Sequence, residues 1–128
     1  MHSVLAIALG GALGAVGRHY MNVLVSMSAK VTFPVGILMV NVLGCFLMGA
    51  LIACFTLVWN SSQDIKLFLV TGFLGAFTTF STFSLDVMTL WSRGAVFEAG
   101  LYIAGSVILS IAAVFFGHWI VWKLFGAA

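Results

Sequence analysis

The third of four long apolar segments, centred on Thr71–Asp86 (TGFLGAFTTFSTFSLD), constrains this chain more than any other stretch. It is of membrane length, yet seven hydroxyl residues (Thr71, Thr78, Thr79, Ser81, Thr82, Ser84 and Thr89) fall within 19 positions. Lipid offers no partner to unpaired hydroxyls or irregular backbone, so protein or water must face them. Gly72 and Gly75 precede the polar run, the Thr78–Thr79 pair follows, and both residue types hold a helix interior poorly. A break over residues 75–79, near mid-membrane, is therefore expected. From Phe77 onward the residues repeat in threes, which makes Phe80 and Phe83 neighbours on one helical face. They stack beside a hydroxyl face that carries Ser81, Thr82 and Ser84. Aromatic rings beside hydroxyl donors inside a membrane outline a path for something polar.

Such a segment needs a membrane protein around it, and the composition supplies one. Hydrophobic residues make up 63% and charged residues 6% of the 128 positions, which excludes an ordinary soluble domain. The length suits one domain, residues 1–128. A net charge of +2 without a basic block argues against nucleic acid as a partner. Met1-His2-Ser3 carries no positive n-region, so the first apolar segment is expected to stay as a span. Cys45 and Cys54 lie in one helix roughly 13 Å apart, beyond disulfide reach, and read as buried thiols.

The first segment, about Ser3 to Met27, carries Gly10, Gly11, Gly14 and Gly17 among alanines, a spacing that lets membrane helices approach closely. Arg18, near its end, can snorkel to the interface or attract an anion at a vestibule. Pro34 suits the start of the second segment, which runs to about Trp59. Asn41, its one strongly polar interior residue, can bridge two helices or offer an amide donor to an anion. Asn60–Asp64 reads as a turn with N-cap residues. The third segment, about Ile65 to Ser92, spans about 42 Å as a helix against a hydrocarbon core of about 30 Å, so a tilt or a break must absorb the excess. Asp86 is expected near its far end, within reach of water.

Arg93–Glu98 reads as a tight connection built on Gly94, and the fourth segment runs from about Ala99 to Phe125. Tyr102, Ser106 and Ser110 are spaced i, i+4, i+8, so their hydroxyls share one stripe. They form a polar track or bond back to their own helix carbonyls. Trp119, Trp122 and Lys123 form an interfacial belt. Four spans put both termini on one side with Lys66 and Lys123, against Lys30 and Arg93 opposite, with Arg18 in the adjacent half-span. So even a balance gives the positive-inside rule almost nothing to act on. Copies inserted both ways up would meet as an antiparallel homodimer.

Paired intramembrane carboxylates, a histidine pair at metal spacing and a phosphate-cradling loop are all missing, so an enzyme is not expected. Over nearly its whole length the chain resembles the Fluc/CrcB family of small fluoride channels. The resemblance rests on Gly72-Phe-Leu-Gly-Ala-Phe-Thr-Thr-Phe-Ser-Thr-Phe-Ser84, on the glycine-rich first span ending at Arg18, and on Pro34-Val-Gly36 leading to Val40-Asn41. It implies four transmembrane helices with the third broken, a dual-topology antiparallel homodimer with two fluoride pores, and a central structural Na⁺. By motif match that ion is held by the backbone carbonyls of Gly75 and Thr78. The pore phenylalanines correspond to Phe80 and Phe83, the pore asparagine to Asn41 and the vestibule arginine to Arg18. The fourth-span track is similar to Tyr102, Ser106 and Ser110. Ala76 stands where the family more often has glycine.

The implied site agrees with elementary chemistry. Fluoride is small and strongly hydrated, so a pore must replace its water with closely spaced donors. Hydroxyls, an amide and the positive edges of aromatic rings do so. The implied setting is a lipid bilayer, the plasma membrane of a bacterium. The other reading is a small four-span, dual-topology secondary transporter of the multidrug-exporter kind. That chemistry requires a carboxylate in mid-span, and Asp64, Asp86 and Glu98 all fall near segment ends.

Overall fold

The computed structural model describes residues 2–126, so Met1 of the N-terminal tripeptide lies outside the described residues. Four stretches are long and apolar enough to cross a membrane: His2–Ala29, Val35–Leu57, Gln63–Ser92 and Val96–Phe125. The first, second and fourth are the uninterrupted helices α1 (His2–Ala29), α2 (Val35–Leu57) and α6 (Val96–Phe125). The third comprises α3 (Gln63–Lys66), a π-helical stretch (Leu67–Leu74), α4 (Gly75–Phe77) and α5 (Phe80–Ser92). This is an all-helical, multi-pass membrane protein.

The helix boundaries follow local chemistry. Ser62 caps α3 by accepting the Ile65 N–H, as the polar turn led one to expect. At the end of α5, Ala95 N–H bonds to the Leu90 carbonyl and Gly94 N–H to that of Trp91, the paired bonds of a Schellman motif. Gly94 takes the left-handed conformation this needs, with φ of 77°. The helix that follows starts at Val96, three residues ahead of the expected Ala99. Glu98 thereby falls in its first turn, where the positive end of the helix dipole favours a carboxylate.

Small residues set how the spans pack. A Cβ at Gly10 would run into the Phe68 carbonyl, and one at Gly72 would approach the Ile7 carbonyl to 2.8 Å, so α1 lies directly on the π-helical stretch. Gly49 and Gly117 do the same for α2 and α6. A buried cluster joins Ile37 of α2, Phe83 and Leu90 of α5, and Ala99 and Tyr102 of α6. It ties the ends of α2, α5 and α6 together and leaves the start of α5 beside the middle of α2.

Candidate functional site

Helical geometry stops where the sequence turns from glycine to threonine. Gly75 is still helical, so the non-helical residues are Thr78 (φ −75°, ψ 154°) and Thr79 (φ −151°, ψ 122°). Gly44 of α2 faces this point with no side chain, and a Cβ there would overlap the Thr78 methyl. Thr79 is buried, 7% exposed, and its hydroxyl accepts the Thr82 N–H at 3.1 Å as the N-cap of α5. Loss of helix at these two residues frees main-chain groups that need partners in an apolar environment.

Asn41 supplies the partners for Thr79. Its Oδ1 accepts the Thr79 N–H at 2.8 Å and its Nδ2 donates to the Thr79 carbonyl at 3.0 Å. Asn41 is therefore a bridge between α2 and the third span, and one of its two N–H groups remains for another acceptor. Arg18 lies on the other side, its Nη1 3.5 Å from the Thr78 carbonyl. Gly75 would give its carbonyl to the Thr79 N–H in a continuous helix, but that N–H is taken by Asn41.

An open cavity of about 440 Å³ adjoins these residues. The third span contributes Gly75, Thr78, Thr79, Phe80 and Phe83, α2 contributes Asn41 and Cys45, and α6 contributes Ser106 and Ser110. Phe80 and Phe83 have ring centroids 5.3 Å apart at 48°, with Phe80 77% exposed and Phe83 7%. Ser106 is 6% exposed, and its Oγ has no hydrogen-bond partner. Seven of the residues singled out from the sequence thus share one cavity.

The others lie around it. Tyr102 is fully buried behind Phe83, 5.1 Å between ring centroids, and its hydroxyl donates to Asp86 Oδ2 at 2.9 Å. Asp86 also borders a smaller cavity of about 180 Å³ with Thr32, Thr89 and Arg93. Ser84 is exposed and donates to the Phe80 carbonyl one turn back at 2.9 Å. Ser81 and Thr82 both bond to the Thr79 hydroxyl, at 3.3 and 3.1 Å. Sequence reasoning singled out neither Thr79 as the hub of these contacts nor Cys45 as a cavity residue. The signal for Thr79 was its place directly before a helical repeat, where an N-cap belongs.

Among the described residues, no cluster of His, Cys, Asp or Glu could hold a metal ion. A cation at this point would have to use neutral oxygens, main-chain carbonyls or hydroxyls.

A multi-pass membrane protein with an amide, hydroxyls and aromatic rings around one cavity is the class these features define. The chain belongs to the CrcB family, described as CrcB-like protein, Camphor Resistance (CrcB), whose profile matches residues 5–118. A relative from Paracoccus denitrificans described as "Fluoride-specific ion channel FluC" is 49% identical over 118 residues, 91% of this chain and 91% of its own length. One from Rhizobium etli with the same description is 47% identical over 117 residues, 91% of this chain and 94% of its own. Another, from Chelativorans sp., is 44% identical over 94% of this chain and 96% of its own length. These relatives are described as channels, not enzymes. The resemblance read from Gly72–Ser84 is borne out.

Proposed function

We propose that this chain is a fluoride-selective passive channel, acting in a bacterial inner membrane as an antiparallel, dual-topology homodimer with two pores. The observation that carries this reading is the Ser106 hydroxyl, buried against the cavity without a partner. An unsatisfied buried donor costs about 1–3 kcal/mol, which an anion in the cavity offsets. The free N–H of Asn41, the Ser110 hydroxyl and the edges of Phe80 and Phe83 add donors and partial positive charge around the same space. Fluoride suits this set because its tightly held water must be replaced by closely spaced donors. The descriptions of the relatives point to the same ion.

The dimer is supported by what one chain leaves uncovered. Phe80 is exposed at the mouth of a cavity open on one side, and a second, inverted copy would close it. The near-even distribution of Lys30, Lys66, Arg93 and Lys123 permits that inversion.

The Gly75 and Thr78 carbonyls fit a structural Na⁺. The Gly75 oxygen has lost its helical donor, Thr78 is extended, and neutral carbonyls suit a hard cation. Arg18 at 3.5 Å takes at most one of the two lone pairs of the Thr78 oxygen. The bound ion would supply fixed positive charge at the third span. Asn41 holds the neighbouring Thr79 in position, and Arg18 bonds to the Thr78 oxygen itself.

The test is efflux from liposomes loaded with fluoride, read with a fluoride electrode in the presence of a K⁺ ionophore. Fluoride is expected to leave and chloride to stay. Equal chloride release, or release that needs a proton gradient, would overturn the reading.

A further inference from the structure

The pairing of Asn41 with Thr79 depends on the conformation of Thr79. In an extended residue the N–H and C=O point to the same side, whereas in a helix they point along the axis in opposite directions. A primary amide, with one acceptor and one donor edge to edge, matches only the extended form. Both bonds are short, 2.8 and 3.0 Å. They fix which way the Asn41 amide faces and so where its second N–H is directed.

The Thr79 side chain holds that conformation in place. Its oxygen accepts the Thr82 N–H at 3.1 Å, donates to Thr82 Oγ1 at 3.1 Å and lies 3.3 Å from Ser81 Oγ. A hydroxyl has one donor and two acceptor sites, and all three are engaged when Ser81 donates. N-cap residues take non-helical, typically extended dihedrals, so the capping bond and the extended backbone support one another. β-branching further limits the rotamers that could release it. One buried residue thus fixes the groups on both sides of the cavity, the amide from α2 and the first turn of α5 that carries Phe80 and Phe83.

We propose that Thr79 is the positioning residue of the anion site. Its extended main chain aims the free N–H of Asn41, and its hydroxyl keeps the main chain extended. The inference rests on the fluoride-channel reading. Thr79 also borders the cavity, but the role assigned to it is to aim the Asn41 amide, so its effect on the ion must pass through Asn41.

The experiment compares Thr79→Val, which keeps the shape and removes the hydroxyl, with Thr79→Ser, which keeps the hydroxyl. Fluoride efflux from liposomes is expected to slow about tenfold in Thr79→Val, the effect of losing one capping bond of ordinary strength, and to recover in Thr79→Ser. In an Asn41→Ala background, adding Thr79→Val is expected to slow efflux by less than about twofold, because residues acting through one another are not additive. Multiplying effects in the double variant, or full efflux in Thr79→Val, would overturn the proposal. A second measurement needs no transport: hydrogen exchange of the Asn41 side-chain amide, followed by NMR on ¹⁵N-Asn-labelled protein in micelles. Protection lost in Thr79→Val and kept in Thr79→Ser supports the positioning role; equal protection in both overturns it. If the unaltered protein releases no fluoride, the channel reading fails, while the exchange measurement still decides what Thr79 holds.

Discussion

Asn41 and Thr79, 38 residues apart, are joined as a closed amide pair in which each gives one hydrogen bond and takes one. Asn41→Ala leaves both main-chain groups of Thr79 unpaired in an apolar setting. Each unmade bond costs about 1–3 kcal/mol, so thermal unfolding in detergent should shift clearly downward. Fluoride efflux should fall at least about tenfold, since each 1.4 kcal/mol corresponds to that factor. Lower stability with unchanged efflux per folded protein would show that Asn41 is a brace and nothing more.

Phe80 and Phe83 differ in burial, and that separates packing from conduction. Phe83→Ile removes volume from the central cluster and should cost about 1 kcal/mol of stability, whereas the exposed Phe80→Ile should cost little. Both remove a ring edge from the cavity, so both should slow efflux by a similar large factor. Phe77 packs beside Gly17 and Gly44, outside the cavity lining, and Phe77→Leu should keep conducting. Size-exclusion profiles taken alongside exclude misfolding. Normal efflux in both Phe→Ile variants would rule out an aromatic pore.

Gly44→Ala would push a methyl group into Thr78 and to 3.1 Å from the Phe77 ring. Overpacking of this kind costs about 1–3 kcal/mol and would shift the extended residues, so both unfolding temperature and efflux should fall. Gly100→Ala, with nothing within 4 Å of the added atom, is the matched control and should leave both measurements unchanged.

Orientation is read by chemical labelling. Asn60→Cys, on the exposed connection between α2 and α3, is introduced without Cys45 and Cys54. Labelling with a membrane-impermeant maleimide should proceed from both sides of the cell membrane. A signal from one face only would exclude the dual-topology dimer.

The four spans were legible in the sequence because bilayer crossing is decided by length and hydrophobicity, both local properties. The N-cap at Ser62 and the glycine turn at Gly94 were legible for the same reason, since each rests on bonds within five residues. The concentration of glycine and threonine in the third span marked where helical geometry would be least secure. It did not show that Gly75–Phe77 stay helical and that the extended residues are Thr78 and Thr79. Glycine lowers helix propensity without forbidding helix, and what decides is where a partner exists for the freed backbone.

That partner is a tertiary fact. Ser84 and Ser106 look alike in sequence, yet Ser84 donates to its own helix while Ser106 is buried at the cavity with nothing to bond. Asp86, expected simply to reach water, takes the Tyr102 hydroxyl that spacing placed on one stripe with Ser106 and Ser110. The sequence by itself determined four segments long and apolar enough to cross a membrane, with hydroxyls concentrated in the third and fourth and one asparagine in the second. Only the packing of the spans against one another decided which of those polar groups are spent on the fold and which are left unpaired at the cavity. Hydrogen-bond partners are allotted by distance in space, and Asn41 reaches Thr79 only once Gly44 has let the two spans close on each other.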